Sequence, residues 1–194
     1  LARFRERLSG LHPTAVRVVA TNTFRVATNA QEFIARAERT LGFPIDIISG
    51  HEEGRLTFFG VAHELPRSPE PRLVIDIGGG STEFIIGRGL EAERLESLTI
   101  GCVGMTQRFF GDGRLTAAAF DAAETLARVE IEAIAGAFGA GAWREAYASS
   151  GTAVALADIL EQNAFSGGGI TPVGLARLRR RMLDAGHISR LKLD

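Results

Sequence analysis

The apolar positions fall into short runs rich in β-branched residues, separated by stretches with helical spacing. Residues 16–20, Val-Arg-Val-Val-Ala, predict a buried strand that leaves through the polar Thr21, Asn22 and Thr23. Over about 29–41, Phe33, Ala37 and Leu41 share one helical face, and Gly42 and Pro44 stop the helix. A strand is predicted over 45–48, and Ser49 and Gly50 lead into a helix over about 52–62. The segment 65–72 carries three prolines and reads as a linker. Beyond it the pattern changes. Strands are predicted over 73–77, 82–86 and 94–100, with three glycines turning the first into the second.

Helices follow over about 103–110 and 116–138. The second places Phe120, Ala123, Ala127, Ile131, Ile134 and Phe138 on a single stripe. A short strand over 146–149 and a helix over 151–162 come next. After the flexible 166–169, Thr171 and Pro172 supply the N-cap and first-turn proline of a last helix ending near 185. No repeat of fixed period appears. The order predicts an α/β protein whose second half is built on hairpins rather than on a purely parallel sheet.

Composition narrows the chemistry. The 194 residues are 45% hydrophobic with 23 glycines, ample for a core, and the net charge of -1 argues against a nucleic-acid binder. No apolar run approaches the roughly 20 residues that span a bilayer, and 1–10 lacks the long apolar centre of a signal peptide. Cys102 is the only cysteine, which excludes an intrachain disulfide and argues for a small buried side chain. A cytoplasmic protein without integral membrane association fits, peripheral association being left open. Lys192 is the single lysine among 22 basic residues, so phosphate contacts would come from Arg, backbone amides or a metal ion.

The loop Asp76-Ile77-Gly78-Gly79-Gly80-Ser81-Thr82-Glu83 is the most informative segment. Glycines allow positive φ and close approach of a ligand to the backbone. Successive amides in such a turn favour an anion, and Ser81 and Thr82 add hydroxyls. Asp76 and Glu83 suit an anion site only with a hard cation between, and Mg²⁺ takes carboxylate and phosphate oxygens together. A Walker loop is excluded because no lysine follows. A dinucleotide fingerprint is excluded because Glu83, opening a strand, stands where the third glycine would open a helix. The bland alternative is a tight hairpin with a solvated acidic rim.

This loop resembles the second phosphate loop of the exopolyphosphatase and guanosine pentaphosphate phosphatase (Ppx/GppA) family. Four further segments agree in order: Ala20-Thr-Asn-Thr-Phe-Arg25, Ile48-Ser-Gly-His-Glu-Glu-Gly-Arg-Leu56, Gly101-Cys-Val103 and Ala148-Ser-Ser-Gly-Thr152. The resemblance implies an actin-like and sugar-kinase-like superfold of two ribonuclease H-like domains, here 1–64 and 73–194, with 65–72 between them. It implies Mg²⁺ and hydrolysis of a terminal phosphoanhydride of polyphosphate or guanosine pentaphosphate, with guanosine tetraphosphate as a further ligand and a homodimer left open. Glu53 falls at the position of the general base; the bland reading makes Glu52 and Glu53 solvated helix carboxylates, Glu52 pairing with Arg55.

Arg25 could clamp phosphate oxygens, and Thr21 could offer a hydroxyl. Gly151 and Thr152 open a helix whose N-terminus favours anions. Arg177, Arg179, Arg180 and Arg181 wrap most of a helix, as a solvated face would; holding a long polyphosphate chain is the alternative. His51 lacks a second histidine for His-Glu-x-x-His, so zinc is not expected. The family's first phosphate loop, Asp-x-Gly-Ser-Asn-Ser-like, and its final strand and helix have no counterpart, so the chain is expected to be truncated at both ends. Two rival functions remain: a phosphotransferase of the same superfold, and a non-catalytic sensor of polyphosphate or alarmone.

Overall fold

The computed structural model describes residues 1–194. The chain divides into two compact units, Leu1–Glu53 and Gly54–Asp194, and the division falls inside one helix, upstream of the proline-rich 65–72.

In the first unit, β1 (Val18–Ala20) and β2 (Ile45–Ile47) pair in parallel, Val18 opposite Ile45 and Ala20 opposite Ile47. The crossover between them holds α2 (Asn22–Val26) and α3 (Ala30–Leu41). Gly42, left-handed at φ 80°, closes α3 as the C-cap. Two helices escape the sequence reading, α1 (Ala2–Leu8) and α2. Both are short, and neither has enough turns for an apolar period to show. α4 (Gly50–Glu64) begins at Ser49, whose Oγ accepts the Glu52 amide at 3.1 Å.

In the second unit, β3 (Arg72–Ile77), β4 (Thr82–Arg88) and β5 (Glu91–Leu98) form an antiparallel meander. After α5 (Cys102–Phe110), α6 (Ala117–Glu132) and α7 (Ala135–Phe138), the strand β6 (Glu145–Ser149) returns parallel to β3, giving the order β5-β4-β3-β6. Alternation along the strands separates two faces. Val74 and Ile85 pack on Phe58 and Ala62 of α4. Leu73, Phe84 and Ile86 pack on Ile134 and Phe138. The single helix expected over 116–138 is broken: α6 stops at Glu132, and Ile134 caps the short α7. Only Ile134 and Phe138 of the expected stripe are buried.

α8 (Ser150–Gln162) and α9 (Pro172–Ala185) complete the unit. Thr171 caps α9 as expected, its Oγ1 accepting the Gly174 amide at 3.1 Å. Three of the four arginines of α9 have partners within this unit. Arg179 pairs with Asp121 and lies over Phe120, Arg177 donates to the carbonyls of Ala164 and Phe165, and Arg181 donates to that of Lys192. These contacts favour a stapling role for three of the four over a free cationic surface. No helix is long and apolar enough to cross a membrane.

Candidate functional site

The glycine loop joins β3 to β4 and is closed by the Gly78 amide donating to the Ser81 carbonyl at 2.9 Å. None of its three glycines has positive φ, so conformational freedom is not why they are there. Space is tight at Gly78, where a Cβ would stand 3.1 Å from the carbonyl oxygen of Ser81 in the same loop. The N-terminus of α5 lies against the loop, and its amides take the loop carbonyls: Cys102 donates to Gly78 at 2.9 Å, and Val103 and Gly104 donate to Gly79 at 2.9 and 3.2 Å. A Cβ on Gly79 would stand 3.4 Å from Val103 Cγ2. From the α5 side, a Cβ on Gly101 would fall 2.4 Å from both Gly79 C and Gly80 N.

A trans peptide points its carbonyl and its amide in opposite directions. With the carbonyls of Gly78 and Gly79 turned to α5, the amides of Gly79 and Gly80 turn away from it. Those two amides and that of Ser81 donate to no protein acceptor. Three consecutive unengaged donors are what an anion needs. Ser81 itself is only 4% exposed.

Asp76 and Glu83 stand directly opposite one another on β3 and β4. Side chains in that relation lie about 5 Å apart, where like charges repel. They are on the α4 face. Thr57 of α4 donates to Asp76 Oδ2 at 3.1 Å, and Ser97 of β5 donates to Glu83 Oε1 at 2.8 Å. Asp76 is half-buried, whereas Glu83 is 1% exposed. No group of three or more His, Cys, Asp and Glu side chains is placed to hold a metal. A closed all-protein cage is therefore not formed. Mg²⁺ commonly takes one or two carboxylates and completes its shell with water and phosphate, and the half-buried Asp76 suits that role better than Glu83, which is buried and accepts from Ser97.

The remaining phosphate-loop candidates are placed unequally. Thr82 is buried and its hydroxyl donates to the Ile100 carbonyl, tying β4 to the segment before α5. Thr152 donates to Cys102 Sγ at 3.4 Å, linking α8 to α5. Gly151 is exposed at the start of α8, and a Cβ there would meet no protein atom.

In the first unit, Arg25 in the last turn of α2 reaches Glu53 in the first turn of α4. Its Nη1 donates to Glu53 Oε2 at 3.0 Å and to the Ile48 carbonyl at 2.8 Å. Both side chains are about one-fifth exposed, so the pair is neither a loose surface contact nor sealed from ligand. Thr21 precedes α2 and makes no side-chain cap; its carbonyl accepts the amides of Phe24 and Arg25. Glu52, the neighbouring carboxylate, meets Arg17 at 3.5 Å.

Two positions around these groups, Thr57 and Ser97, lie outside the quoted motifs, and two more, Gly101 and Ser150, lie in matched segments without a role read for them. Thr57 and Ser97 hold the carboxylate pair; strand register makes Ser97 findable, since it stands opposite Glu83. Gly101 ends a strand-to-helix passage and could be read as a simple cap. Ser150, at φ 73°, donates to the Ile77 carbonyl at 2.8 Å, and a serine beside another serine gives no sequence signal for this.

The chain matches the model of the Ppx/GppA phosphatase family over residues 1–194. It is similar to the crystal structure of an exopolyphosphatase-like protein, at 32% identity and a TM-score of 0.75, covering 82% of this chain and 51% of that one. Similarity extends to a Ppx/GppA family member of Aquifex aeolicus, at 28% identity and TM-score 0.64, over 89% of this chain and 53% of that one. It also reaches an exopolyphosphatase from Cytophaga hutchinsonii, at 26% and 0.68, over 94% and 61%. The chain thus spans about half the length of the first two of these structures. Its α/β fold is theirs, and with the family model matched from end to end, the chain belongs to the Ppx/GppA phosphatase family.

Proposed function

We propose that this chain supplies a phosphate-binding loop and a general base to a phosphatase that hydrolyses the terminal phosphoanhydride of inorganic polyphosphate or guanosine pentaphosphate. The observation that carries this is the loop itself. Its carbonyls at Gly78 and Gly79 are occupied by α5, while three successive amides are left without acceptors beside a carboxylate pair. A hairpin built only to turn the chain has no use for that division.

In this reading the amides of Gly79, Gly80 and Ser81 donate to phosphoryl oxygens. Asp76, the more open carboxylate, and Glu83 opposite it would hold Mg²⁺ directly or through water. When bound, the ion neutralises phosphate charge that the amides alone leave uncompensated. Glu53 orients a water for in-line attack and accepts its proton. Arg25 holds that carboxylate in place and offers guanidinium charge to the spread negative charge of the transferring group. Little covalent chemistry is asked of the protein; positioning and electrostatics carry the rate.

Glu53→Gln in the full-length protein tests the base. It keeps an oxygen acceptor for Arg25 and removes the proton acceptor, so phosphate release from both substrates should fall by about 10²- to 10⁴-fold with substrate binding retained. Near-parent turnover would sink the assignment. Binding of polyphosphate with no phosphate release by the parent itself would favour a sensor, and transfer to an acceptor rather than to water would favour a phosphotransferase.

A further inference from the structure

We propose that Ser150 is a positioning residue that sets the orientation of the glycine loop, an inference that rests on reading the loop as a phosphate site. Ser150 and Ala164 are the only non-glycine residues with positive φ, at 73° and 54°. Side chains other than Asn, Asp and Gly adopt that region rarely, and it persists where surrounding contacts hold it. At Ser150 the contact is specific. Its Oγ donates to the Ile77 carbonyl at 2.8 Å.

The hydroxyl is not serving its own helix. Ser149 is the N-cap of α8 and makes no side-chain cap, so the first amides of α8 have no side-chain acceptor there. Ser150 is turned back towards β3 instead. What it gains is control of one peptide plane. The Ile77 carbonyl and the Gly78 amide belong to the same peptide and point in opposite directions. Drawing the carbonyl to Ser150 aims the amide at Ser81, where it closes the loop at 2.9 Å. The next two planes are fixed by α5 through Cys102, Val103 and Gly104. Three successive carbonyls, Ile77, Gly78 and Gly79, are thus each taken by a donor from a helix start, the first from α8 and the others from α5. Thr152 of α8 donates to Cys102 of α5 and joins the two starts at 3.4 Å. Ser150 acts through the loop and does not itself meet the phosphate.

Ser150→Gly and Ser150→Ala separate the hydroxyl from the backbone. Both remove the donor; Gly suits the left-handed conformation, and Ala keeps its strain. Affinity for Mg²⁺-tripolyphosphate, read by calorimetry, should fall about three- to tenfold in both, the worth of one hydrogen bond. KM for the hydrolysed substrate should rise with kcat little changed. Ser150→Gly should unfold no earlier than the parent on heating, so that a folding defect does not account for the loss. Amide exchange, measured without ligand, should speed up at Gly78 in both variants. If Ser150→Gly matches the parent in affinity and in Gly78 exchange, the positioning role is overturned and the phosphate-loop reading stands. If the parent does not bind tripolyphosphate, the phosphate-loop reading falls, and the exchange comparison still decides whether Ser150 pins the loop.

Discussion

Gly101→Ala offers the sharpest test of how the loop is held. The added methyl carbon would lie 2.4 Å from Gly79 C, 2.4 Å from Gly80 N and 2.5 Å from Gly79 O. Ordinary contacts begin near 3.4 Å, so one backbone must retreat by about 1 Å, and no flexible side chain is present to yield instead. Backbone strain is not the issue, because Gly101 sits at φ −121° and ψ 159°, open to any residue. Overpacking of this kind costs about 1–3 kcal/mol, and replacing glycine by alanine at an N-cap adds to it. A loss of about 2–3 kcal/mol in urea unfolding is expected. Binding of Mg²⁺-tripolyphosphate should weaken further than stability does, because the displaced atoms carry the free amides. Gly104→Ala is the control. It lies on the same helix with nothing within 4 Å of its added carbon, and should stabilise by up to about 1 kcal/mol. If Gly101→Ala cost under about 0.5 kcal/mol and left binding intact, α5 would not be clamping the loop.

Asp76→Asn should raise the urea midpoint without Mg²⁺ by relieving the repulsion with Glu83, worth about 0.5 kcal/mol, and should abolish any stabilisation by added Mg²⁺; a lower midpoint with unchanged Mg²⁺ response would refute the pairing. Tyr147, the only tyrosine, should titrate above its ordinary value near 10 in ultraviolet difference spectra, first because it is desolvated and then because it donates to Glu145 at 3.1 Å. Its stabilising contribution is complete below about 10 and is lost as pH rises through the folded value. Glu145 shifts the other way, lowered chiefly by the hydrogen bond from buried Arg72. The unfolded chain therefore binds more protons in mild acid, and the stability Glu145 contributes above about 4.5 should be lost as pH falls through its folded value, a slope that Glu145→Gln should flatten. Gly54→Ala brings a carbon to 3.2 Å from Ile85 and Leu95, so the helix-propensity gain of about 1 kcal/mol should be partly offset, leaving a small net stabilisation by thermal unfolding; a loss above about 1 kcal/mol would mean that α4 and the sheet are in closer registry than these contacts suggest.

The elements that carry a strong period were legible in the sequence. β3 and β4 follow from two apolar runs around a glycine turn, β5 is displaced to Glu91–Leu98 from the expected 94–100, and α9 follows from Thr171 and Pro172. The short α2 was not legible, and it is the element that places Arg25 against Glu53. The long helix expected over 116–138 broke after α6, because Ile134 and Phe138 turn into the sheet while Val129 and Ile131 stay exposed. Within the site, residue identities were legible but their division of labour was not. Thr82 reads as a phosphate hydroxyl from its place in the loop, and in the fold that hydroxyl donates to the Ile100 carbonyl. Such choices depend on which partner a fold brings within reach, and no local pattern states that.

The same point bears on the glycines. A triple glycine suggests a chain that needs positive φ, and here that inference fails at all three positions. The close approach falls instead at Gly101, where the start of α5 meets the backbone of Gly79 and Gly80. A helix N-terminus is itself an anion site, and α5 could have met phosphate directly. Instead its first amides are committed to the carbonyls of Gly78 and Gly79. Those peptide dipoles are thereby aligned in series with the helix, so the partial positive end is passed through the loop to the outer amides of Gly79 and Gly80. Asp76 and Glu83, paired across β3 and β4, add negative charge at the base of the same hairpin. Amides next to carboxylates discriminate against a bare anion and favour one that arrives with a divalent cation. A Mg²⁺-bound phosphate chain has that charge pattern, so the half-buried Asp76 and the buried Glu83 are compatible with the phosphatase proposed above.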